Sequence, residues 1–217
     1  MSQLERKSIE PIALNVENAK VRAMQHFISN VVWDEARIIS RYHAMVVEDL
    51  GDDEGVLIFD ESGFVKKGKD SAGVARQYCG GIGKVENSQV GVFAAYASRH
   101  GYCILDHRLF IPEKWFGDEY AERREKCKFP EGLSFRTKPQ MVAEMFEGIV
   151  REKLIPFRYL VADTVYGGSP EFLDAVERTS GVIYLVSLPR DTLCWVQEPA
   201  TMEKTYRYGG GEIRTRG

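Results

Sequence analysis

Two aspartates carry the strongest chemical suggestion in this chain. Asp60 follows the apolar run "VLIF" and Asp163 follows "YLVA", so each stands where a stretch fit for a buried strand gives out. In α/β sheets ligands gather at the carboxyl ends of strands, because side chains there project beyond the packed layers. If the two strands are neighbours, both carboxylates converge, and such an all-oxygen ligand set suits Mg²⁺ or Mn²⁺. Two ions of this kind about 3.5–4 Å apart can activate water and steady a leaving oxygen in phosphoryl transfer. Glu61 follows Asp60 directly, but the strand period of two turns it to the opposite face, where it can support the site only from behind.

The residues beyond Asp60 are basic. Lys66, Lys67 and Lys69 in "GFVKKGKD" are either a solvated turn or contacts for DNA phosphates, and the second reading draws its weight from the acid site nearby. Arg76 and Arg108 are weaker candidates for the same task, and His107, between Asp106 and Arg108, is expected to be half-exposed rather than catalytic. The stretch "CGGIGKVE" does not make a phosphate-binding loop. Tyr78 stands at the first required glycine position, and Val85 follows Lys84 where Ser or Thr should bind magnesium. Its glycines predict a tight turn. Trp115 and Phe116 are expected to anchor a small core or lid rather than to stack on bases.

The elements that must position these groups can be read from periodicity. Val21, Met24, Phe27, Ile28 and Val31, then Ile38, Ile39, Tyr42, Val46 and Leu50, recur at helical spacing, with Asp34 as a cap for the second helix and Gly51 as its stop. The period then changes to two. "VLIFDESGF" is the first strand, and "NSQVGVFAAYAS" with "GYCILDHRLFIP" forms a hairpin turning at 98–101, with Cys103, Leu105, Leu109 and Ile111 expected on one face. Residues 113–135 are charged and irregular, an excursion with a short helix. "TKPQMVAEMFEGIVREKL" is a helix opened by a Thr137/Gln140 capping box, and Val142, Met145, Phe146 and Ile149 form its apolar face. A strand ending at Asp163, a helix capped by Ser169 and Pro170 and stopped at Gly181, and the strand "VIYLVSLP" complete the order. Three hairpin-linked strands followed by helix, strand, helix, strand build a mixed sheet flanked by helices.

The bulk composition agrees with a folded chain. Its 217 residues, 44% hydrophobic and 28% charged, suffice for a sizeable core. A net charge of −3 leaves any nucleic-acid contact to local basic patches. No apolar run is long enough to span a bilayer and "MSQLERKSIEP" lacks a signal-peptide layout, so no membrane partner and a cytoplasmic location are expected. Cys79, Cys103, Cys127 and Cys194 form no CxxC pair, which argues against zinc and for reduced, mostly buried thiols.

The stretches "LIFDESGFVKKGKDSAGVARQYCGGIGKVENSQVGVFAAYAS", "DHRLFIPEKW", "FRTKPQMVAEMF" and "VADTVYGGSPEFLDAVE" resemble, in order and spacing, the catalytic core of bacterial insertion-sequence transposases of the DDE superfamily over residues 33–189. The resemblance implies an α/β, ribonuclease H-like fold, a mixed five-stranded sheet with flanking helices. It implies three parts: a helical N-terminal segment at 1–54 with part of a DNA-binding region, the catalytic core at 55–190, and a tail at 191–217. It also implies that Asp60 and Asp163 are the first two acids of a metal-binding triad that uses two Mg²⁺ or Mn²⁺ ions. Activated water would cleave a DNA phosphodiester at an element end, and the freed 3′ hydroxyl would attack target DNA.

The partners implied are DNA at element ends and target, with further copies of the chain or a full-length transposase, and the bacterial nucleoid as the place of action. The third acid of such a triad is a glutamate on a helix after the fifth strand. Glu198, Glu203 and Glu212 follow that strand without a convincing amphipathic helix, and Glu125 in "RREK" precedes Asp163, so the chain is expected to stop before the triad is complete. Two rivals remain: an inactive, regulatory transposase fragment, and a haloacid dehalogenase-like phosphatase, which would want an aspartate where Ser62 stands.

Overall fold

The computed structural model describes residues 4, 5, 8–194, 197, 204–207 and 213–216. Three helices come first: α1 (Ile9–Leu14), α2 (Val21–Asn30) and α3 (Glu35–Leu50). The Asp34 carboxylate caps α3 by accepting from the Arg37 amide at 3.0 Å, and Gly51 closes it. The chain then builds β1 (Val56–Val65), β2 (Ala75–Cys79), β3 (Lys84–Ser98) and β4 (Gly101–Phe110). An excursion with α4 (Ala121–Lys126) leads to α5 (Lys138–Glu152), β5 (Tyr159–Ala162), the single turn α6 (Thr164–Gly167), α7 (Pro170–Glu177) and β6 (Ile183–Val186). A separate antiparallel pair, β7 (Lys204–Arg207) with β8 (Ile213–Arg216), closes the chain.

The main sheet runs β2-β3-β1-β5-β6, with β4 also on β3. β2 pairs residues 84–88 of β3 and β4 pairs residues 90–98, so the two share one edge end to end. Without β2, the order is β4-β3-β1-β5-β6: three antiparallel strands joined to two parallel ones, the ribonuclease H-like arrangement expected from the sequence. β2 was not expected. "ARQYC" is short and its alternation weak, and it becomes a strand because β3 is long enough to offer it an edge. The glycines after it form the tight turn expected, with Gly83 at φ 64°.

One face of the sheet holds the core. Leu57 and Phe59 of β1, Val92, Ala94 and Tyr96 of β3, and Leu160 and Ala162 of β5 lie under Val142, Met145, Phe146 and Ile149 of α5 and Phe172, Ala175 and Val176 of α7. Phe59 sits at the centre, edge-on to Phe146 at 6.4 Å and to Phe172 at 5.9 Å between ring centroids. Each such fully buried side chain contributes about 1.5–3 kcal/mol. The capping box of α5 is present with both hydrogen bonds, and Ser169 with Pro170 starts α7. That helix ends at Glu177, a turn before Gly181.

The other face is open among the described residues. Tyr102 is 77% exposed, Ile104 54%, Val161 37%, Ile183 51% and Leu185 73%. β5 and β6 read as unbroken apolar runs, the pattern of strands covered on both sides.

Two expectations about side chains are corrected. Cys103, Leu105, Leu109 and Ile111 do not share a face, because a bulge at Leu105 shifts the register between Ala94 and Ala95 and reverses the parity of everything after it. Leu105 is buried in the main core while Leu109 is 40% exposed. The cysteines are free thiols as expected, but Cys79 alone of the four is buried. Trp115 does anchor a small second core with Val74 and Ile111, its indole N–H donating to the Val74 carbonyl at 3.0 Å.

Candidate metal centre

The positions of Asp60 and Asp163 follow from the register of two strands. β5 pairs with β1 in parallel through Phe59↔Ala162 and then ends. The next residue on each strand is an aspartate, and parallel neighbours sit about 4.8 Å apart with side chains on the same face. Asp60 is not at a strand tip. It is the fifth residue of ten in β1, which continues to Val65 because β3 carries it by pairing Asp60↔Phe93 through Val65↔Ser88. What gives out beside it is β5, and that missing neighbour opens the space in which the carboxylates meet.

Asp163 leaves β5 as the N-cap of α6, its Oδ1 accepting from the Val165 amide at 3.0 Å. Burial raises the pKa of this carboxyl above its ordinary value, and the negative charges of Glu61 and Asp60 push the same way against the lowering effect of the Val165 amide. Asp60 is exposed, with its Oδ1 accepting from the Glu61 amide at 2.7 Å.

Glu61 belongs to this cluster. It faces α5, as the strand period requires, yet Asp60, Glu61 and Asp163 each offer a carboxylate oxygen and these oxygens all lie within 4.8 Å of one another. Beyond Phe59 no strand among the described residues flanks β1 on the β5 side, so the longer glutamate reaches round the free edge. Its Oε1 accepts from Lys138 Nζ at 2.7 Å and its Oε2 from the Tyr166 hydroxyl at 2.6 Å. Tyr166 is fully buried, and burial first, then Glu61, pushes its phenol pKa far up, so it stays protonated and donates to Glu61. Strand parity could have located Glu61 on the α5 face, but nothing local in the sequence announces that Lys138 and Tyr166 meet it there.

The basic candidates are not drawn into this cluster. At about 3.3 Å per residue, Lys66 lies about 20 Å along β1 from Asp60. The lysine turn is pinned by Asn87, whose side-chain N–H donates to the Lys66 carbonyl at 2.6 Å and to the Gly68 carbonyl at 2.9 Å, leaving Lys67 and Lys69 exposed. Arg76 is exposed on β2, opposite Asn87. Arg108 pairs with Asp106 at 2.6 Å and is in register with Val92, which puts it on the face opposite Asp60. His107 is exposed, in register with Phe93. Glu125 lies on α4, away from the strand ends. Glu198, Glu203 and Glu212, the positions weighed for a third acid, lie outside the described residues.

An all-oxygen, anionic donor set at this spacing fits a hard divalent cation and not a soft one. Among the described residues no helix is long and apolar enough to cross a membrane.

The family model described as "DDE superfamily endonuclease" matches residues 1–217. A probable transposase for insertion sequence element IS701 from Microchaete diplosiphon is 27% identical over 188 residues, covering 87% of this chain and 46% of that protein. The chain thus spans about half the length of this curated relative. Two solved structures show weak likeness. The Ppx/GppA family member of Aquifex aeolicus has a TM-score of 0.22 and 14% identity over 63% of this chain and 35% of that one. The NurA nuclease of Sulfolobus solfataricus has a TM-score of 0.24 and 13% identity over 73% and 46%. Likeness at that level carries no argument.

Proposed function

The chain belongs to the DDE superfamily endonuclease family, and from that premise we propose that it forms the catalytic core of an insertion-sequence transposase in which Asp60 and Asp163 hold Mg²⁺ or Mn²⁺ for DNA strand cleavage. One observation supports this most: the parallel register that ends at Phe59↔Ala162 and sets the two aspartates side by side. When bound, such cations lower the pKa of water and offset the charge that builds on a phosphate in in-line displacement.

The chain's own residues supply the rest. Asp60 and Asp163 hold the position at the open end of β5, one fixed by strand pairing and the other by its cap on α6. Phe59, buried between Phe146 and Phe172, ties β1 to α5 and α7. Three carboxylates within 4.8 Å repel a bare phosphate, so the polyanion has to be held from outside the cluster. Lys67 and Lys69 suit that task. Each strand of duplex DNA carries a phosphate about every 3.4 Å of helix axis, so roughly 20 Å measured along that axis corresponds to about six phosphates of one strand.

The test is a cleavage assay on duplex DNA carrying the element's ends, with Mg²⁺ or Mn²⁺. Cleavage that requires the cation and disappears in both Asp60→Ala and Asp163→Ala is the expected result, and no cleavage by the natural chain would favour the inactive-fragment alternative. Activity that survives either substitution would remove the assignment. Phosphatase activity on a small phosphoester, lost in Asp60→Asn, would favour the dehalogenase-like alternative.

A further inference from the structure

Lys138 is the one cation bonded to the acidic cluster among the described residues. It opens α5, sits over the Phe110 ring at 5.5 Å, and holds Glu61 Oε1 at 2.7 Å. Both side chains are largely enclosed, at 22% and 21% exposure. Tyr166 takes the other oxygen of Glu61 from the buried side. Each oxygen of the third carboxylate therefore has a side-chain donor, while among the described residues its neighbours Asp60 and Asp163 accept only from backbone amides.

We infer that Lys138 is a positioning residue that competes with the divalent cation for Glu61: its ammonium holds Glu61 in the cation-free state and sets a threshold for cation loading. This rests on the metal-site reading of Asp60 and Asp163. An ammonium and a divalent cation cannot both sit close to one carboxylate without mutual repulsion, and partial burial limits the screening that would hide it. The loaded site therefore forms against the charge of Lys138, with Glu61 shared or handed over. The arrangement tunes affinity downward, so that the site fills under high cation supply or when phosphate charge arrives with DNA.

The sign of the effect separates this from a structural role. Lys138→Met keeps the aliphatic stem over Phe110 and leaves the Thr137/Gln140 box intact, so a folded variant is expected. A purely structural lysine, when removed, would loosen the cluster and weaken cation binding. A competing lysine, when removed, tightens it.

The measurement is Mn²⁺ titration of the full chain, by calorimetry or by the loss of free-Mn²⁺ paramagnetic resonance, with circular dichroism to confirm the fold. Lys138→Met is expected to bind Mn²⁺ roughly three- to tenfold more tightly than the natural protein, and Lys138→Arg to restore natural affinity. Glu61→Gln is expected to bind more weakly and to abolish the gain when combined with Lys138→Met. Unchanged or weaker binding in folded Lys138→Met, or a gain that persists in the Glu61→Gln background, would overturn the inference. Natural affinity in Asp163→Asn would instead overturn the metal-site reading beneath it.

Discussion

Replacing Asp163 with asparagine should stabilise the cation-free protein while abolishing its response to metal. Asp163 lies within 4.8 Å of Asp60 and Glu61, measured between carboxylate oxygens. Two unit charges at that distance repel by about 3.5 kcal/mol at an effective dielectric of 20 and by about 0.9 kcal/mol in water. Asp163 is only partly enclosed and Lys138 offsets part of the field, which puts the expected gain near the aqueous end, at about 1 kcal/mol. Asparagine is as good an N-cap as aspartate, so the bond to the Val165 amide survives and α6 keeps its start. For a chain of this size about 1 kcal/mol corresponds to a rise in Tm of about 2–4 °C. The natural protein should gain about 2.7 kcal/mol, or roughly 5–10 °C, from Mn²⁺ at a hundred times its Kd, and Asp163→Asn should gain little. Calorimetric melts with and without Mn²⁺ read both quantities. A variant that melts lower than the natural protein without metal and still climbs with Mn²⁺ would refute the reasoning.

The raised pKa of Asp163 predicts a pH dependence of two kinds. The folded state holds this proton more tightly than the unfolded chain, so the contribution to stability is fully present below the ordinary aspartate value and is lost as pH rises through the raised one. Mn²⁺ affinity should run the opposite way, falling as pH drops through the same raised value, and Asp163→Asn should flatten the stability profile there. Neutralising Lys67 and Lys69 together as glutamines should lower the slope of log K against log salt for duplex DNA by about 2, and an unchanged slope would clear both lysines of phosphate contact. Tyr96→Phe should cost about 1–2 kcal/mol in urea denaturation, because its hydroxyl accepts from the Asp52 amide at 2.9 Å and donates to the Asp52 carbonyl at 3.1 Å, pinning the loop before β1.

Much of this was legible in the sequence where the signal is local. The capping box of α5, the Asp34 cap of α3 and the hairpin turn at 98–101 are set by neighbours a few residues apart, and they stand where the pattern put them. Asp60 and Asp163 were legible as a pair because each follows an apolar run. What the sequence hid is non-local. The strand "VLIFDESGF" is legible to within a residue of Val65, but the end of its apolar run at Phe59 disguises Asp60, which lies mid-strand because β3 pairs on past it. The bulge at Leu105 depends on how two strands meet. Glu61 joins the cluster because β5 is short, and Lys138, 77 residues away in sequence, reaches it only once α5 packs on the sheet.

Whether Asp60 and Asp163 form a divalent-cation site is decided by anomalous diffraction from crystals grown with Mn²⁺. A manganese peak is expected between the two carboxylates, at about 2.0–2.2 Å from an oxygen of each, and none there in Asp163→Asn. Manganese bound elsewhere, with these carboxylates free of it at saturating concentration, would show that the two aspartates are not a cation site.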